Sequence, residues 1–402
     1  MFSLHPLRRA FVAAVLLLSA CLPAARAVTA SSAMFAPAPA GMPAPPEVAA
    51  RAFILQDLAS RQTLAARNPD VKVEPASLTK LMTAYLVFQA IDAGKLPLTQ
   101  KLTVSERAWK TGMAAGSRSF LTAHSQVTVD DLLKGMLVQS GNDSTVVLAE
   151  GVAGSVEAFV ERMNRQAQLF GLVATNFRNP EGLSAPGQVS TPRELSIIAA
   201  RLLTDFPKVL AYSSTKDVTL NGFKQANRNL LLWRDPTVDG LLTSYTDSAG
   251  YGLVATSVRQ VAGAPRRLIS VVIGATSPES RAGESQKLLN WGQIGFDVVK
   301  LFDAGRAVTK APVWKGASAE VRVGRPTPIV VVVPKGQGNT LKTSITRQDP
   351  LLAPLLEGQQ VATLKISLAG QPWQDVPLTA LEAVPSAGWL GRAWDAIRLG
   401  LK

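Results

Sequence analysis

The feature that most limits the fold is the order in which hydrophobic periodicities follow one another. Ala52-Phe53-Ile54-Leu55 and Thr63-Leu64-Ala65 predict two strands around a polar turn. Helical patterns then take over, from Leu78 to Ala90, from Val129-Asp130-Asp131-Leu132-Leu133 onward, from Thr145 to Val152 and from Val156 to Phe170. Thr191-Pro192-Arg193-Glu194 is a helix start, with Thr as cap, Pro at the first position and Glu three after the cap. Strands return at Gly252-Leu253-Val254-Ala255-Thr256 and Leu268-Ile269-Ser270-Val271-Val272-Ile273. Strands at both ends with helices between predict one α+β domain over residues 48–304, closed by its own termini.

From residue 305 to 384 the character changes. Val321-Arg322-Val323, Ile329 to Val333, Leu341 to Ile345 and Val361 to Leu368 are short β-type runs split by Gly, Pro and Asn, and predict a small all-β sandwich. Residues 385–402 form a third region. Trp389, Leu390, Ala393, Trp394, Ile397 and Leu401 fall on one helical face, with Arg392, Asp395, Arg398 and Lys402 on the other and Ser386 placed to cap the start. The segment is too short to span a bilayer. Trp, Leu and Arg so arranged suit a helix lying on an anionic membrane surface, and a helix docked on its own domain is the alternative.

The first 27 residues read as a secretory signal. His5 to Arg9 are a short basic start, Phe11 to Ala20 an apolar run, and Ala25-Arg26-Ala27 a small-x-small cleavage site. Leu18-Ser19-Ala20-Cys21 also resembles a lipoprotein cleavage site with Cys21 as the lipidated residue. Either way the mature protein works outside the cytoplasm. Residues 28–47 carry Pro37, Pro39, Pro43, Pro45 and Pro46 and predict an extended tether, with folded sequence starting near Val48.

Composition excludes several chemistries. Cys21 is the one cysteine and His5 and His124 the two histidines. No disulfide framework, CxxC metal site or His-rich zinc site can be built, and no cofactor is called for. The formal net charge of +13 falls by three if Arg8, Arg9 and Arg26 leave with the leader. No basic run with interleaved aromatics accompanies it, so nucleic acid is not the predicted partner. An acidic polymer or anionic lipid fits better.

Chemistry enters at Pro75-Ala76-Ser77-Leu78-Thr79-Lys80. Ser77 and Lys80, three apart at the start of a helix, share a face. A serine hydroxyl is a poor nucleophile without a base, and with almost no histidine a neutral lysine is the candidate. Partial burial or a second cation would lower its pKa. Alone the pattern is weak, since Ser213-Ser214-Thr215-Lys216 repeats it in what reads as a polar turn. Ser140-Gly141-Asn142 is the second element, a hydroxyl to relay a proton and an amide to hold lysine and substrate. His124, Trp109, Trp233 and Asp143 have plainer readings, as an isolated histidine, two packing residues and a helix cap.

SxxK followed by SxN is the pattern of the penicillin-recognising serine enzymes. Glu74 to Thr83, Leu137 to Asp143, Asn179-Pro180-Glu181-Gly182-Leu183, Asn227 to Trp233 and Val238-Asp239-Gly240-Leu241 resemble the D-alanyl-D-alanine carboxypeptidases, the low-molecular-mass penicillin-binding proteins. The resemblance covers nearly everything after residue 48. It implies a β-lactamase/transpeptidase-like domain, a β sandwich and a C-terminal amphipathic helix. It implies that Ser77 attacks the carbonyl between two terminal D-alanines of a peptidoglycan stem peptide. Lys80 takes the serine proton, Ser140 relays it to the leaving D-alanine, and Asn142 orients the substrate amide. The backbone N–H groups of Ser77 and Tyr245 form the oxyanion hole, and Arg228 receives the terminal carboxylate. Further implications are covalent inhibition by β-lactam antibiotics and a periplasmic location at the outer face of the inner membrane.

One motif departs. The family's Lys-Thr-Gly reads Leu242-Thr243-Ser244 here, between matching flanks. Lys342-Thr343-Ser344 resembles it but lies in the β region without those flanks. Leu242 supplies no charge for a carboxylate or for biasing Lys80. Ser244 adds a Cβ where glycine allows substrate close to the backbone, while Thr243 and Arg228 remain. The sequence leaves open a weakened or altered carboxypeptidase, a compensated enzyme, a non-catalytic wall-binding scaffold and a serine β-lactamase. An active carboxypeptidase with reduced activity is preferred.

Overall fold

The computed structural model describes residues 34–400 apart from 115, 262, 263 and 348. The leader, Cys21 and both cleavage sites lie outside the described residues, as do Leu401 and Lys402.

A five-stranded antiparallel sheet is the frame. Its strands are β1 (Ala52–Asp57), β2 (Gln62–Arg67), β3 (Val238–Thr246), β4 (Gly250–Val261) and β5 (Ala264–Ala275), in the order β2-β1-β5-β4-β3. Ala52 pairs with Ile273 and Asp57 with Leu268, so the first and last strands of the domain lie side by side. This is the α+β closure predicted from the strand-helix-strand order.

All six residues of β1 are buried because both faces of the sheet are covered. Ile54, Val254 and Val271 face a helical core, whereas Phe53, Leu55, Leu253 and Val272 face the other way, onto Leu288 and Leu289. The helices that matter are α1 (Lys80–Asp92), α2 (Val129–Val138), α3 (Asn142–Ala153), α4 (Pro192–Asp205) and α5 (Pro278–Ile294). Every residue of α1 from Lys80 to Phe88 is buried, which is why its pattern is apolar all round. The Thr128 hydroxyl accepts the Asp131 N–H to cap α2. Thr191 accepts the Glu194 N–H to cap α4, with Pro192 at the first position as predicted.

Two boundaries differ from the sequence reading. Phe35 is 4% exposed, and Ala36 exchanges backbone hydrogen bonds with Arg61 and Thr63. The proline-rich segment is thus docked well before Val48, because one aromatic among its prolines finds the core. The strand Phe296–Phe302 pairs with Ile329–Pro334, so β structure begins before the composition shift at 305. Beyond it lies a six-stranded sheet with its own core of Val321, Val323, Leu364, Ile366 and Leu378. The Gln62 side chain joins the two regions. Its amide donates to the Val332 carbonyl at 3.2 Å and its oxygen accepts the Val332 N–H at 2.6 Å.

The terminal helix α6 (Trp389–Gly400) meets the β region through polar side chains. The Asp395 carboxylate accepts the Lys315 N–H at 2.6 Å, and the Arg398 guanidinium lies over the Trp314 ring. Trp389, Leu390, Trp394 and Ile397 are left between 58% and 71% exposed. Ser386 forms a backbone bridge with Gly316.

Candidate active site

The nucleophile turn is a short 3-10 segment, Ala76–Thr79, running directly into α1. Gly182 presses on this turn. A Cβ there would fall 1.8 Å from the Ala76 carbonyl oxygen, and Gly182 has φ +91°, so only glycine fits. Ser77 is partly exposed at the turn and lines a cavity of about 570 Å³.

Lys80 is fully buried one turn later. Its Nζ lies 3.3 Å from Ser77 Oγ, 2.8 Å from Asn142 Oδ1 and 2.6 Å from the Glu181 carbonyl oxygen. Those three acceptors fix the amine against the serine. Burial is the main reason its pKa falls from 10.5 to about 7, with Arg228 adding to the fall and Glu181 and Asp143 opposing it. The neutral amine required of a base is therefore available near neutral pH. Sequence reasoning allowed burial or a second cation; the structure has both, burial first.

Ser140 sits in the left-handed region at φ +64°, and Asn142 opens α3. Both line the cavity. Ser140 Oγ is buried and has no hydrogen-bond partner among the described residues. Asp143 does more than cap a helix. Its carboxylate accepts N–H groups from Ser119, Leu121 and Ser144, tying the loop that carries Ser117 to α3.

The opposite wall is the edge strand β3, from which Thr243, Ser244 and Tyr245 line the cavity. Leu242, counted above among the substrate-facing positions, is not on that wall. It is 3% exposed and belongs to the helical-side core, where an isobutyl group is best buried. The Ser244 side chain also falls differently from expectation. Ser244 pairs directly across with Gly252 on β4, and a Cβ at Gly252 would lie 2.4 Å from Ser244 Oγ. The serine hydroxyl occupies space its glycine partner leaves vacant.

Arg228 and Arg281 close the cavity. Arg228 Nη2 donates to the Gly116 carbonyl at 3.0 Å. Arg281, on α5 and 6% exposed, donates to the Ser244 carbonyl at 3.0 Å and the Arg228 carbonyl at 3.2 Å. Burial and then the Arg228 charge lower the Arg281 pKa to about 10. Among the described residues neither guanidinium lies within ion-pair distance of a carboxylate, so both remain available to an anion. Tyr245 is half exposed, its ring against Tyr251 and its hydroxyl donating to Asp247 at 2.7 Å.

Sequence reasoning missed Arg281 and gave Glu181 no role. Arg281 stands in no motif, and Glu181 lies in the segment 179–183 without a spacing that marks it for chemistry; tertiary packing brings both to the cavity. Trp109 and Trp233, read as packing residues, are 38% and 47% exposed. Ser213, of the second SxxK, is buried and donates its hydroxyl to the Asp239 carbonyl, so it serves structure.

The chain that carries this serine, buried lysine and edge strand matches known proteins closely. The family model described as D-alanyl-D-alanine carboxypeptidase matches residues 40–277, and the penicillin-binding protein 5 C-terminal domain matches 296–386. The chain belongs to the D-alanyl-D-alanine carboxypeptidase family. Within it, the D-alanyl-D-alanine carboxypeptidase DacC of Escherichia coli is 43% identical over 359 residues, 88% of this chain and 89% of that protein. The solved structure of penicillin binding protein 5 from Haemophilus influenzae is 39% identical with a TM-score of 0.78, covering 86% of this chain and all of that one. Penicillin-binding protein D2 from Listeria monocytogenes, in its ampicillin-bound form, is 32% identical with a TM-score of 0.54. That match covers 61% of this chain and 97% of that one.

Proposed function

We propose that this family member is a serine carboxypeptidase that removes the terminal D-alanine from peptidoglycan stem peptides ending in D-Ala-D-Ala, with activity reduced or altered by the Leu242-Thr243-Ser244 segment. The observation that carries the reading is the buried Lys80 amine, its pKa lowered to about 7 and its Nζ bonded to Ser77 Oγ. Ser77 Oγ attacks the carbonyl carbon as its proton passes to Lys80 Nζ. Ser140, whose hydroxyl has no partner among the described residues, carries that proton to the departing D-alanine nitrogen. Arg228, assisted by Arg281, receives the terminal carboxylate. Ring-opening of a β-lactam by the same serine leaves a stable acyl-enzyme.

The direct test is labelling with a fluorescent penicillin. The purified chain is expected to label covalently, and Ser77→Ala to lose the label. No labelling of the folded wild type would favour the scaffold reading, whose support is the lost Lys-Thr-Gly charge.

The same proposal places the mature chain in the periplasm, held on the outer face of the inner membrane by α6. Four exposed large apolar side chains on a helix whose polar side is already engaged support this. Among the described residues no helix is long and apolar enough to cross a membrane. Anionic vesicles are expected to co-sediment the chain. Trp389→Ala with Trp394→Ala should weaken that binding about tenfold or more through lost apolar burial. Equal sedimentation of the two proteins would remove the membrane role.

A further inference from the structure

Serine, lysine and asparagine explain formation of the acyl-enzyme, and its hydrolysis needs in addition a water activated beside the ester. Glu181 adds a carboxyl to the cavity beside Lys80. The residue is 7% exposed, lines the same cavity as Ser77, and its Oε2 has no hydrogen-bond partner among the described residues. Its backbone carbonyl accepts from Lys80 Nζ at 2.6 Å, so the residue is locked to the base of the first step. Gly182, pressed against the nucleophile turn, fixes the chain immediately after it.

The charges around it are few. Lys80 and, more remotely, Arg107 act on the carboxyl directly, and its own backbone N–H bonds to it. Arg228 and Asp143 act on Lys80. Burial outweighs these effects and raises the Glu181 pKa above the ordinary carboxylate value. A carboxyl moved in that direction is a better proton acceptor when ionised. A buried carboxylate oxygen without a donor is costly to keep for structure alone, which argues for a use.

We propose that Glu181 is a further catalytic residue, the general base that activates water to hydrolyse the Ser77 acyl-enzyme. This rests on the carboxypeptidase reading above. The water oxygen bonds to the acyl carbon as one water proton passes to the Glu181 carboxylate. The adduct collapses and the bond from the acyl carbon to Ser77 Oγ breaks. The proton held by Glu181 reaches Oγ through Lys80 Nζ, which lies 3.3 Å from that oxygen. Free serine, neutral lysine and the glutamate carboxylate are regenerated, and the shortened peptide leaves as a carboxylic acid that ionises in solvent.

Glu181→Gln preserves shape and removes the base; Glu181→Asp keeps a base on a shorter arm. Two rates are read for each variant: acylation by a fluorescent penicillin, and turnover of a D-Ala-D-Ala peptide, with quenched samples weighed by intact-mass spectrometry. In Glu181→Gln, acylation should stay within about threefold of wild type. Peptide turnover should fall by about 10²-fold, with acyl-enzyme accumulating, as befits a lost general base. Glu181→Asp should recover part of the turnover, and the acid limb of wild-type deacylation should vanish in the glutamine variant. Equal losses in acylation and turnover would make Glu181 a structural support of Lys80, and unchanged turnover would make it a bystander; either overturns the proposal. Absence of Ser77 labelling in the wild type is a separate result, which removes the carboxypeptidase reading and this step with it.

Discussion

Replacing Lys80 with methionine is expected to abolish acylation of Ser77 while leaving a folded protein. Methionine fills most of the buried volume without an amine, so the loss reports the missing base. Removal of a positioned base costs about 10²- to 10⁴-fold, and the high end is expected because no histidine lies in the cavity wall to substitute. Stopped labelling with fluorescent penicillin measures it, and circular dichroism checks the fold. A Lys80→Met protein that acylates within tenfold of wild type would place the base elsewhere. The sign of the pH dependence follows from the same amine. Its pKa is lowered to about 7 and the neutral form is the base. Acylation should therefore rise as pH rises through about 7 and level off above it.

The second large effect is a gain. Leu242→Lys is expected to raise turnover of a D-Ala-D-Ala peptide about 10- to 100-fold, the scale of one charge-assisted contact of about 1.5–3 kcal/mol. The ammonium would have to reach out of the helical-side core into the cavity, where Ser140 Oγ has no partner among the described residues. An added cation also lowers the Lys80 pKa further, so the acylation limb should move to lower pH. Burying a lysine at a position 3% exposed carries a stability cost, expected as a lower Tm. An unchanged rate would mean that Arg228 and Arg281 already supply the electrostatics that the family's lysine gives, which is the compensated reading.

The motifs that were legible are those whose chemistry is local. Ser77 and Lys80 share a helix face by spacing alone. The α+β closure was legible because strand and helix periodicities differ. Thr191-Pro192 announced its helix through side-chain and backbone geometry confined to one turn. What escaped depends on register and distant packing. That Ser244 lies opposite Gly252 requires knowing which residues of β3 and β4 pair. Arg281 sits in an ordinary helix pattern and gains its role only because α5 carries it beneath the Ser244 and Arg228 carbonyls. Glu181 lay inside a recognised segment, yet only the fold shows it buried beside Lys80. Phe35 was hidden by the prolines around it, whose composition signals extension but not whether the strand edge beside them is free.

The four exposed apolar residues of α6 were legible as a pattern, and the structure adds why they stay exposed. Asp395 and Arg398 hold the helix by its polar side to Lys315 and Trp314, which turns Trp389 and Trp394 away from the β region.

The most direct measurement is release of D-alanine from a peptide ending in D-Ala-D-Ala, followed with the purified mature chain and with Ser77→Ala. Release that requires Ser77, at a rate that rises through about pH 7, is the expected result. A folded wild-type chain that releases no D-alanine at any pH would contradict it, and would mean that Leu242 and Ser244 have turned the site into one that binds without turnover.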